Sequence, residues 1–146
     1  MTLHRRTVGR DRWLAVLGAA VALIGCVLPW WTVGGAEGLP ARSGNAFEAS
    51  GILVFAAALA TLAVVTLPHT TDRPVGVDRW PVYAGFAIVG WLALGLRVLD
   101  LLGLGAFRFD EPAEVFTRGP GLWVSALGLA ILSRAAYRMR LGPDRR

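Results

Sequence analysis

Residues 13–31, WLAVLGAAVALIGCVLPWW, run for 19 positions without a charge. At ~1.5 Å per residue, a helix of that length matches the ~30 Å hydrocarbon core of a bilayer. The stretch is therefore read as a membrane-spanning helix. Arg5, Arg6, Arg10 and Arg12 precede it, while Pro29, two tryptophans and a glycine-rich segment follow it. Cytoplasmic flanks of membrane helices are enriched in arginine and lysine, so the basic end is expected inside and the Pro-Trp-Trp end outside. The basic start followed by an apolar run also has the layout of a secretory signal. This run is longer than a typical signal core and three more follow it, so the first span is expected to be retained.

Composition supports the same class. The chain has 146 residues, 55% of them hydrophobic, with a mean hydropathy of +0.53, too apolar for the polar exterior of an ordinary soluble domain. The expectation is a single integral membrane domain covering residues 1–146, located in the cell membrane as a multi-pass protein. A net charge of +5 would also suit a nucleic-acid partner. Its arginines cluster at the two chain ends, however, where lipid headgroups and the positive-inside bias account for them, and no nucleic-acid partner is expected. Cys26 is the only cysteine, so an intrachain disulfide or a CxxC redox pair cannot form.

Further spans follow in order. Asn45-Ala46-Phe47-Glu48 has the N-x-x-E spacing of a capping box and places a second span at about 46–67, stopped by Pro68. The third is expected over about 79–102, with Asp78 as its cap and Pro81 in its first turn, and the fourth over about 120–140, opened by Pro120. Small residues recur along these helices: Ala15, Gly18, Ala19, Ala22 and Cys26 in the first, Ala56, Ala57, Ala60 and Ala63 in the second, and Gly85, Gly90 and Gly95 in the third. Each set offers a surface along which another helix can approach closely. Between spans, Trp30 to Val33 and Phe107 to Phe109 favour extended backbone and can pair as a small extracytoplasmic β-ribbon. The fold class is thus an all-α membrane protein, a bundle of four transmembrane helices, N-in and C-in. With that topology eleven arginines fall inside and three (Arg42, Arg108, Arg118) outside.

Candidate chemistry is sparse. Arg97 and Asp100 are the charged pair within a span; their i,i+3 spacing puts them on one helix face, where they can form an intramembrane ion pair. Sixteen residues from Pro81 to Arg97 give ~24 Å of rise, which sets the pair close to the outer boundary. Trp30 and Trp31 stand where aromatic side chains anchor a helix end at the headgroup level, and are read as interfacial anchors. No catalytic, cofactor-binding or metal-ligating residues are assigned: His4 and His69 have no second histidine or cysteine nearby, and no phosphate-binding, dinucleotide or G-x-S-x-G pattern occurs. No cofactor is expected.

Leu28-Pro29-Trp30-Trp31 at the end of the first span, followed by Val33-Gly34-Gly35 and three more spans, resembles the small uncharacterised prokaryotic four-helix membrane proteins that carry a Leu-Pro-Trp motif there. The resemblance implies a four-span topology and carries no functional residue with it. Four spans, cytoplasmic ends and tryptophan in the first outer loop also bear a faint likeness to claudin-type proteins, from which this chain departs by lacking paired loop cysteines. The expected function is non-enzymatic: a scaffold or accessory subunit whose partners are the lipid bilayer and either its own copies or another membrane protein. The alternative is a small oligomeric transporter or channel component that uses Arg97 and Asp100.

Overall fold

The computed structural model describes residues 9–34, 40–70, 79–105 and 114–142. These are mostly helical: α1 (Arg10–Val27), α2 (Ile52–Thr70), α3 (Trp80–Gly103), the short α4 (Glu114–Arg118) and α5 (Pro120–Leu141). A two-stranded ribbon, β1 (Trp31–Val33) and β2 (Arg42–Gly44), sits between α1 and α2, and a 3-10 turn over Ala49–Gly51 leads into α2. Two helical stretches, Ala49–Leu67 and Trp80–Gly103, are long and apolar enough to cross a membrane.

The first helix is shorter than the charge-free run that encodes it. Leu28 precedes Pro29, whose ring disfavours helical backbone in its predecessor, and Leu28 is extended at φ −69°, ψ 155°. Only residues 13–27 of the uncharged run are helical, ~22 Å of rise, and the helix expected to reach Trp31 ends instead at Val27. Similarly, α5 carries Arg134, Arg138 and Arg140 in its last two turns, which leaves 120–133 as its uncharged part.

The extended segment after Pro29 finds its partner nearby. Trp31 pairs with Gly44, Thr32 with Ser43 and Val33 with Arg42, antiparallel. The ribbon expected between Trp30–Val33 and Phe107–Phe109 is therefore replaced, on the first strand, by a local hairpin; Phe107–Phe109 lie outside the described residues. Backbone bonds fasten this end of the bundle: Ala46 N–H donates to the Cys26 carbonyl at 3.2 Å, and Gly121 N–H to the Pro29 carbonyl at 2.9 Å. The Cys26 carbonyl, one of those left over at the end of α1, is thereby satisfied.

The most extensive helix contact is between α1 and α5. The buried face of α1 is Ala15, Gly18, Ala19, Ala22, Gly25 and Cys26, the small-residue stripe of the sequence with Gly25 added. Its counterpart on α5 includes Gly121, Ser125 and Gly128. A methyl group at Gly18 would come within 2.7 Å of the Leu132 nitrogen, and one at Gly128 would strike the backbone of Ala22. Neither backbone can yield, so glycine sets how close the two helices lie. The second and third helices follow the expectation less well. Val54, Ala57, Ala58, Thr61 and Val65 form the buried face of α2, while Ala56 and Ala63 are exposed. On α3, Gly90 packs under Leu129, but a side chain at Gly85 or Gly95 would meet nothing within 4 Å.

The core is layered along the bundle. Nearest the ribbon it holds Trp30, Val54, Leu94, Leu101 and Leu129; the middle is Ala19, Ala22 and Ala58, with the half-buried Leu23 and Leu62 against them; the far end holds Tyr83, Val65 and Leu132. At that far end Asp11 and Arg138 join α1 to α5 at 3.0 Å, and the Arg140 guanidinium lies 5.5 Å from the Trp80 ring centre.

Candidate functional site

The polar centre of the molecule lies at the ribbon end and is organised by Glu48. Its Oε2 accepts from Arg97 Nη2 at 2.7 Å and from Trp31 Nε1 at 3.1 Å. The three residues come from separate elements: Trp31 from β1, Glu48 from the turn before α2, and Arg97 from the sixth position before the end of α3.

Local sequence aims the carboxylate there. Asn45 Oδ1 accepts from the Phe47 N–H at 3.1 Å, forming an Asx turn, and Ala49 follows Glu48 with a left-handed φ of 50°. Glu48 is consequently turned away from the backbone it was expected to cap. The capping box is corrected: α2 starts at Ile52, after the 3-10 turn, and Glu48 binds side chains instead. Gly44 makes room for this arrangement, since a Cβ at that position would collide with the Glu48 carboxylate and with Trp31 Nε1.

The expected ion pair of Arg97 and Asp100 is also corrected. The guanidinium meets Glu48, while the Asp100 side chain is exposed. Helical spacing of three allows a contact along the surface of α3, but Arg97 points into the bundle, where its side chain is 7% exposed. A buried charge is stabilised more by a carboxylate that reaches it at 2.7 Å than by one on the solvent side of its own helix. Burial is uneven across the pair, because the Glu48 side chain is 47% exposed. Arg97 Nε, moreover, is buried without a hydrogen-bond acceptor.

Neither tryptophan stands free at a helix end. Trp30 is fully buried in the core and donates from Nε1 to the Gly25 carbonyl at 2.9 Å. Its anchoring role is corrected, for no part of the ring can reach headgroups; the extended backbone at Leu28-Pro29 turns it back beneath the ribbon. Trp31 is half-buried and its indole N–H is committed to Glu48.

Beside this triad is a cleft of about 660 Å³, whose apolar walls are Val33, Pro40, Leu101 and Leu104. Arg42, Glu48 and Arg97 supply its charged groups, two guanidiniums against one carboxylate. Its size is that of a small-molecule site. No group of three or more histidine, cysteine, aspartate or glutamate residues able to hold a metal ion occurs among the described residues. The chemistry on offer is recognition of charge next to an apolar surface.

Glu48 was hidden in the sequence by its N-x-x-E context, and Arg97 by the nearer Asp100. A comparison of levels would have matched them. Glu48 lies just before the start of one span and Arg97 just before the end of the next, so in antiparallel neighbours both stand at the same height. No protein family model, curated protein or solved structure matches this chain.

Proposed function

We propose that this chain is a non-enzymatic, multi-pass protein of the cell membrane, with four spans and both ends in the cytoplasm, that serves as a scaffold or accessory subunit. The observation that carries the reading is the uncovered apolar face of α2 and α3, where Leu53, Leu59, Ile88, Leu92, Leu96 and Leu99 are each roughly half exposed or more. A surface of that size and character requires lipid or another protein against it. Supporting the four-span topology is the eleven-to-three distribution of arginines, with the terminal arginines of α1 and α5 able to extend toward headgroups beyond the shorter apolar stretches of those helices. The Leu-Pro-Trp resemblance agrees with it.

The buried polar side chains among the described residues are Thr61, Arg97 and Ser125. Thr61 bonds back to the Ala57 carbonyl of its own helix at 2.8 Å, and Arg97 is held by Glu48. These groups serve packing better than they serve a continuous polar path, which favours the accessory role over transport. Purification from native membranes in mild detergent tests it. A stoichiometric partner protein is expected; a clean homo-oligomer that supports ion or solute flux in proteoliposomes would replace this reading with the transporter.

A further inference from the structure

We infer that the cleft beside Glu48 and Arg97 is a binding site for a lipid-like anionic amphiphile, a single phosphate or carboxylate head carrying a hydrocarbon chain. Three observations carry this. First, charge: among the described residues the cleft presents Arg42 and Arg97 against Glu48, and Arg42 is exposed with no ion pair among them. Among the described residues, one positive charge is thus left without an opposite number at the mouth.

Second, the Arg97 side chain is more than nine-tenths buried on the cleft wall, and its Nε donor has no acceptor. A buried donor without a partner is destabilising, which an anionic oxygen reaching that guanidinium would relieve. Glu48 does not meet this need, since its contact is with Nη2. Third, the remaining wall is hydrocarbon. Val33 and Leu104 are 48% and 78% exposed, and Leu101 lies below them. A free anion would leave this surface wet, whereas an alkyl chain covers it and removes its apolar area from water. The cleft volume of about 660 Å³ accommodates a head and part of a chain.

The inference goes beyond the scaffold role and does not depend on it, because binding is read on the purified chain. The full-length protein in a neutral maltoside detergent is titrated with dodecyl phosphate, dodecanoate, dodecanol and inorganic phosphate, and bound molecules are counted by native mass spectrometry. The expected result is one bound molecule of either anionic amphiphile, with dodecanol and inorganic phosphate each weaker by at least about tenfold. Arg42→Gln and Leu104→Glu alter exposed side chains, so the fold is retained; each is expected to weaken the anionic amphiphiles by about fivefold or more, the second by like-charge repulsion. Equal binding of dodecanol would reduce the cleft to a greasy surface and overturn the assignment. Inorganic phosphate binding as tightly as dodecyl phosphate would overturn the amphiphile in favour of a free anion. Undiminished binding to Leu104→Glu would place the ligand elsewhere and overturn the site.

Discussion

Glu48 Oε2 and Arg97 Nη2 meet at 2.7 Å across 49 positions of sequence, and the two ends of that contact live in different surroundings: the arginine side chain is 7% exposed and the glutamate 47%. The asymmetry makes the two single mutants unequal. Glu48→Ala strands a buried guanidinium and is expected to cost about 3 kcal/mol, whereas the carboxylate left by Arg97→Leu can turn to water, with a cost nearer ~1 kcal/mol. The double mutant should recover most of the loss of Glu48→Ala. Unfolding in mixed micelles measures all three. Equal losses for the two single mutants would contradict the geometry.

Asp100 provides the control for this pair. Its side chain is exposed and Arg97 is engaged elsewhere, so Asp100→Asn is expected to change unfolding stability by less than ~0.5 kcal/mol. A loss comparable to that of Glu48→Ala would restore the i,i+3 pair.

The glycines separate into two groups. Gly128→Ala forces a methyl group into the backbone of Ala22 and is expected to cost ~2 kcal/mol or more and to loosen α1 from α5. At Gly85 and Gly95 the added methyl group meets nothing within 4 Å, and alanine should be neutral or stabilising by up to ~1 kcal/mol through helix propensity. Crosslinking between cysteines placed on α1 and α5 reports the first effect, and thermal unfolding the second. Similar destabilisation at all three positions would remove the distinction.

Trp30→Phe and Trp31→Phe test burial against anchoring. The first loses a buried hydrogen bond and leaves a void in the core, an expected cost of ~2–3 kcal/mol; the second loses one bond to Glu48, about 1 kcal/mol. An anchor at headgroup depth would accept phenylalanine at either position with little change in folded yield, so a harmless Trp30→Phe argues against the buried placement.

For topology, Asp72→Cys and Glu111→Cys are labelled in intact cells with an impermeant maleimide, on a background in which Cys26 is replaced by alanine. The arginine asymmetry leads us to expect labelling at 111 and silence at 72 until the membrane is opened. The reverse pattern would invert the bundle.

Helices were legible because their signal is carried by long apolar runs: Pro120 opens α5 where sequence places it and the stripe from Ala15 to Cys26 is the buried face it promised to be, but Pro68 does not stop α2, which runs on to Thr70. What escaped was long-range. Whether Glu48 caps its own helix or reaches α3 depends on a left-handed Ala49 and on space left by Gly44, neither of which is encoded in a motif. Trp30 misled for a related reason, since an aromatic at the end of an apolar run looks the same in sequence whether the chain continues outward or doubles back. The local hairpin could have been anticipated from Gly34, which takes a left-handed φ of 85° just past β1, as a turn back toward Arg42 requires.

The clasp of α1 against α5 dictates an order of assembly. Pro120 follows Val27 by 93 positions, which takes roughly 5–20 s to synthesise at ordinary elongation rates. Throughout that interval the glycine edge of the first helix, Gly18 and Gly25, waits for a helix that does not yet exist, and the bundle closes on itself only when the last one arrives. Early packing is therefore left to the first three helices, with α1 already meeting α2 through Ala19, Ala22 and Ala58, and the glycine edge that faces α5 is the part of the first helix most open to capture by another protein during biogenesis.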